Sequence, residues 1–159
     1  MTILLHHSIR REMRRSHILI DPFDEKYLGN ASIELRLGYW LCPVESMCRD
    51  IYLHEIEKID PLDWLNPVGL SDGRTYSLVP GRLVLALTLE YIELGARICA
   101  RFDGRNRFAR YGLEVHKTPS FIGPGSKGHQ VLELENRGRD PIILSAGFPI
   151  CQIIFEQCA

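Results

Sequence analysis

The sequence predicts an all-β or mainly β domain, a sandwich or barrel entered through a short N-terminal helix. Three observations predict it. Short segments rich in Val, Ile, Leu, Tyr and Thr recur at intervals of about ten residues with Gly and Pro between them. One segment alternates: Ile33, Leu35 and Leu37 face one way, Ser32, Glu34 and Arg36 the other. The length, 159 residues, is near the commonest size for one domain. With no repeat, linker or low-complexity stretch to divide it, a single domain over residues 1–159 is expected.

The elements follow in order. Residues 8–15 read as a short basic helix, capped by Ser8, with Ile9 and Met13 on one face. Residues 18–20 form a β-type run stopped by Asp21-Pro22, and 31–38 form the alternating strand. Residues 42–73 carry three prolines, Asn66 and Gly69, and read as a long excursion with some local structure. Strands are then expected at 76–79, 83–89, 91–94, 98–102, 131–135, 141–144 and 150–155, with a type II turn at Pro80-Gly81 where Gly supplies the positive φ.

Composition narrows the function. Nineteen basic against 20 acidic side chains leave a net charge of −1, which does not favour long-range attraction to nucleic acid or an anionic membrane. No apolar run reaches the roughly 20 residues of a membrane span. The first seven residues are too short and too soon polar for a signal peptide. The expected location is cytoplasmic, or the host cytoplasm if the source is viral. Cys42, Cys48, Cys99, Cys151 and Cys158 are odd in number and lack a CxxC, so reduced structural thiols are expected. The histidines do not fall at metal-ligand spacings from the cysteines, so no zinc site is expected. Arg10, Arg11, Arg14 and Arg15 read as a solvated helix face, with a phosphate or partner surface as the alternative.

Three segments could carry chemistry. Residues 103–113 follow a strand, open with Gly104 and set Arg105, Arg107 and Arg110 close together. Helical turns from Phe108 ended by Gly112 would offer free N–H groups to phosphate, and arginine adds forked donors. A solvated or subunit-contact cluster is the alternative. Glu133 and Glu135 share one face of a strand: an exposed polar pair, or a base if that face lines a cleft. The glycine-rich residues 122–128 precede no helix and so are not a P-loop; they read as a turn returning the strand of Glu133. His116 reads as a structural hydrogen-bonding residue.

Taken in order, residues 31–38, 78–81 with 86–90, 104–113, Pro124-Gly125 with Leu132-Glu133 and Asn136, and Gly147 with 150–155 resemble the dCTP deaminase branch of the dUTPase superfamily. The resemblance runs from about residue 17 to 156. It implies a dUTPase-like distorted β-barrel or jelly-roll, a homotrimer with active sites shared between neighbouring chains, and zinc-independent deamination of dCTP to dUTP and ammonia. Glu133 matches the catalytic glutamate that takes a proton from water, and Arg110 the arginine beside the reacting base. Arg105, Asn106, Arg107 and Thr118 match the nucleotide- and phosphate-contacting positions. Mg²⁺ would accompany the triphosphate.

Zinc-dependent cytidine deaminases use an HxE…PCxxC pattern, neither half of which occurs here. The sequence also departs from the family it resembles. Asn106 and Arg107 stand where the family usually has two serines, and Gly123 where it has an aspartate that serves the sugar and, in dUTPases, orients the attacking water. The family's C-terminal tail folds over nucleotide; this chain stops at Ala159, so either a lid from elsewhere or an open site is expected. Two other readings stand beside dCTP deamination: a weak or inactive relative that binds a nucleotide or partner, and a dUTP diphosphatase, alone or combined with deamination.

Overall fold

The computed structural model describes residues 2–45, 50, 52–56, 66–71, 73–118 and 120–158. Among them β1 (Thr2–Ile3) and α1 (His6–Arg14) lead to β2 (Ile18–Asp21), β3 (Ile33–Pro43), α2 (Leu53–Ile56) and β4 (Val68–Gly69). Next come β5 (Thr75–Leu78), β6 (Leu83–Leu94), β7 (Ile98–Gly104), α3 (Asn106–Ala109) and β8 (Leu113–Glu114). The chain closes with β9 (Phe121–Ile122), β10 (Lys127–Asn136), β11 (Ile142–Ser145) and β12 (Pro149–Gln157).

One curled sheet runs β8-β10-β6-β3-β12-β7-β9, with β1 on β12, β2 on β6 and β4 on β3. β5 and β11 pair separately. The mainly β expectation is met. Period-two alternation sends Leu35 and Leu37 of β3, Leu132 and Leu134 of β10, and Ile153 and Phe155 of β12 into the core, where all are buried. Truncating one of these leucines to Ala would cost roughly 2–5 kcal/mol. The expected turn at Pro80-Gly81 is present, with Gly81 at φ +76°.

Several boundaries differ from the expected ones. The two strands expected at 83–89 and 91–94 are one strand, β6. Between them stands Glu90, a charged side chain 2% exposed that reads in the sequence as a break. Arg36 satisfies it twice, its backbone N–H donating to Oε2 at 2.9 Å and its Nε to Oε1 at 2.6 Å. The helix begins at His6 and not after Ser8, and Ser8 does not cap it. The N-cap is Leu5, which makes no side-chain cap bond; the His6 N–H donates to the Asn30 carbonyl at 2.7 Å. Ile9 is buried and Met13 packs on the core, as expected for one face.

Of the excursion at 42–73, residues 42–45, 50, 52–56, 66–71 and 73 are described, with the end of β3, α2 and β4 among them; the rest, Cys48 included, lies outside the described residues. Burial pushes the Cys99 thiol up to about 11, with Cys158 beside it adding to the shift, and raises Cys151 further. Among the described residues no helix is long and apolar enough to cross a membrane.

Candidate active site

The arginine segment comes from the end of β7. Arg105 precedes α3 as its N-cap, and α3 covers Asn106–Ala109, two residues earlier than the turns expected from Phe108. Arg105 is drawn into the protein. Its Nη2 lies 2.7 Å from Glu34 Oε1 on β3, its Nη1 donates to the Pro149 carbonyl at 3.4 Å, and its guanidinium sits 5.3 Å from the centre of the Phe108 ring. Only 15% of the side chain is exposed. Asn106, Arg107 and Thr118 are exposed.

Arg110 ends α3 and is exposed. It lines a hollow of about 640 Å³ with Tyr111, Arg137, Arg139 and Asp140 among the other lining residues. Among the described residues no ion pair engages Arg110 or Arg139. Two backbone segments meet at this hollow. Gly112 has φ +93°, and a Cβ there would overlap Gly138; a Cβ on Gly138 would overlap the Tyr111 carbonyl. Asn136, fully buried, anchors the second segment: its Nδ2 donates to the carbonyls of Leu78 and Asp140, and its Oδ1 accepts from the Gly138 N–H.

Glu133 stands on β10, opposite in face to Leu132 and Leu134. Its side chain is 32% exposed. Residues 115–118, which follow β8, run beside it. The Glu133 N–H donates to the Val115 carbonyl at 3.1 Å, and the Lys117 N–H donates to Glu133 Oε2 at 3.0 Å. No hydrogen bond among the described residues uses Oε1. His116 Nδ1 lies 3.8 Å from Oε2, too far for a hydrogen bond. That nitrogen is buried and has no hydrogen-bond partner among the described residues, and the ring meets Phe102 edge-on at 6.2 Å. The expected hydrogen-bonding role of His116 is therefore not seen at Nδ1.

Glu135, 16% exposed, takes the Lys117 ammonium on Oε2 and has Arg137 Nε 3.5 Å from Oε1. Arg137 Nε is also 2.8 Å from Glu114 Oε2, attracted by charge without the alignment of a hydrogen bond.

The chain thus forms three groupings: Glu133 with His116, Lys117 and Glu135; Arg110 with Arg137 and Arg139; Arg105 with Glu34. It does not bring Glu133 into the hollow of Arg110, whose lining does not include it. Sequence reasoning passed over Lys117, Arg137 and Arg139. Arg137 follows the end of β10, two residues on from Glu135, a spacing that could have marked it; Lys117 arrives from an irregular segment and left no such mark.

A curled sheet with a half-open glutamate and an arginine-lined hollow defines a protein of the dUTPase-like fold. The solved 2'-deoxycytidine 5'-triphosphate deaminase of Agrobacterium tumefaciens superposes with a TM-score of 0.76 at 22% identity, over 99% of this chain and 48% of that one. This chain thus spans about half of that protein. Native EIAV dUTPase superposes at 0.51 and 18% identity, over 89% and 87% of the two chains. The chain belongs to the dCTP deaminase-like family, which it matches over residues 3–158. Similar proteins include the "dCTP deaminase, dUMP-forming" of Methanosphaera stadtmanae, 31% identical over 98% of this chain and 79% of the relative. That of Salinispora tropica is 35% identical over 99% and 81%. The names of these relatives carry dUMP as product, where dUTP was expected.

Proposed function

We propose that this protein deaminates dCTP hydrolytically without zinc and that its final product is dUMP. One observation carries the reading: the Glu133 carboxylate is held on one oxygen by a backbone N–H, while no hydrogen bond among the described residues uses the other. In that geometry Oε1 is the basic lone pair. It takes a proton from water, and the resulting hydroxide bonds to C4 of cytosine. The proton is passed to N3; the new C4 hydroxyl then gives up its own proton, which is carried to the C4 amine, and ammonia leaves as the C4 carbonyl forms. A positioned base of this kind contributes roughly 10²–10⁴-fold.

Formation of dUMP adds a second hydrolysis, in which water attacks the α-phosphorus and pyrophosphate leaves. The names of relatives at 31–35% identity favour it. Gly123 offers no side chain to orient that water, so another group must hold it. Loss of this second step alone would leave dUTP as product. In this reading Mg²⁺ enters as the counter-ion of the triphosphate.

In this reading Arg110 is supplied to the base by a neighbouring copy, as in a homotrimer with shared sites. Exposed Tyr111, Ile143 and Phe148 close to the hollow of Arg110 favour such a contact. The test is product analysis with dCTP and Mg²⁺. Ammonia, pyrophosphate and dUMP are expected; ammonia with dUTP would remove the second step; no ammonia would remove the reading. Glu133→Gln is expected to lose at least about 10²-fold in kcat while keeping dCTP binding.

A further inference from the structure

We infer that Glu135 is a positioning residue for Glu133, acting through Lys117. The inference rests on the reading of Glu133 as the base. The two carboxylates stand on the same face of β10, roughly 7 Å apart along the strand. Between them Lys117 makes contacts of two kinds. Its backbone N–H donates to Glu133 Oε2 at 3.0 Å, and its ammonium pairs with Glu135 Oε2. One residue of the 115–118 segment is thus attached to β10 at two points.

Val115 packs in the core and the His116 ring meets Phe102, but Lys117 itself is exposed, and among the described residues few other ties hold it to β10. β8 pairs with β10 at only two positions, Leu113 with Asn136 and Glu114 with Glu135. The bond from the Glu133 N–H to the Val115 carbonyl is the last backbone tie before Lys117. Beyond it, the hydrogen bond at Glu133 depends on where Lys117 stays, and the Glu135 pair fixes that. Glu135 makes a firm anchor because it is mostly buried, so its pair is less screened, and because Arg137 restrains its other oxygen. Without the pair, the Lys117 N–H leaves Oε2, the carboxylate turns, and the open lone pair no longer points one way.

The test uses the full chain with Glu135→Gln, Lys117→Met, Lys117→Arg and the double variant Glu135→Gln/Lys117→Met. The first readout is independent of activity: exchange of the Lys117 amide proton with water, followed by NMR. It should speed up at least about tenfold in Glu135→Gln and Lys117→Met, while the amides of β6 and β12 keep their rates. The second readout is ammonia release from dCTP. Both single variants should lose about ten- to a hundredfold in kcat with KM within about twofold. Lys117→Arg should recover most of it, and the double variant should be no worse than the worse single one.

Unchanged Lys117 exchange would overturn the inference. So would a loss that Lys117→Arg does not recover and that follows the thermal midpoint. If Glu135→Gln does not fold, Lys117→Met decides, since it leaves Glu135 with Arg137. If the wild-type chain releases no ammonia, the reading of Glu133 falls, and the exchange rates still decide the two-point attachment.

Discussion

At the start of α3, Arg105 is folded into the protein, with Glu34 at 2.7 Å, a carbonyl on its other nitrogen and a ring beneath it. At the end of the same helix, Arg110 stands exposed at the rim of a hollow, with no ion pair among the described residues. The sequence presents both as members of one basic cluster. The fold divides them into a cation used to join β3, α3 and β12 and a cation that stands exposed with no ion pair among the described residues. Spacing places arginines on a turn; only the partners that tertiary structure brings decide which are free.

Three experiments press on that contrast. The largest expected effect is at Arg110. Arg110→Ala should lower kcat/KM for dCTP by about 10–100-fold, the worth of a hydrogen bond from a charged donor, with the thermal midpoint unchanged. Co-expression with Glu133→Gln should regain about a quarter of wild-type activity if each site joins Glu133 of one chain to Arg110 of the next. No regain would confine the site to one chain. Next comes Arg105→Ala. Removing a pair whose carboxylate is one-third exposed should cost about 1 kcal/mol, and so roughly 2–4 °C in Tm, with a smaller loss of activity than at Arg110. A large activity loss at constant Tm would erase the contrast and make Arg105 a substrate contact.

The smallest effect concerns a third set of charges committed to the fold. Glu12, 5% exposed, accepts from His17 at 2.8 Å and Arg11 at 3.0 Å and lies 3.6 Å from Arg15. His17 foremost, then Arg11 and Arg15, hold the Glu12 carboxyl below its usual range against the opposing cost of burial. A depressed folded pKa means stabilisation present above the unfolded value, about 4.3 for glutamate, and lost as pH falls through the folded one. Acid titration followed by circular dichroism should show α1 loosening below that range, and His17→Ala should move the loosening to higher pH. An unmoved transition would assign Glu12 to its arginines.

Much of the fold was legible. Alternation and turn residues located most of the strands, because half-buried strands write their burial into the chain every second residue. What failed had tertiary causes. Glu90 hid the continuity of β6 because its partner Arg36 lies on another strand. The helix start was misplaced because a distant carbonyl, Asn30, meets its first donor. At the candidate site the same holds: Glu133 and Arg110 stood out by type and neighbourhood, whereas Lys117 had no local pattern to mark it.

The meeting of Gly112 and Gly138 has a practical consequence for engineering. Side chains are barred at those two positions by the chain's own backbone, while Arg110 and Arg139 beside them project from it. A designer can therefore exchange the rim, trading guanidinium for shorter or neutral groups, without disturbing the backbone beneath it. The two glycines must be left alone, because they are the hinge plate on which that rim is mounted.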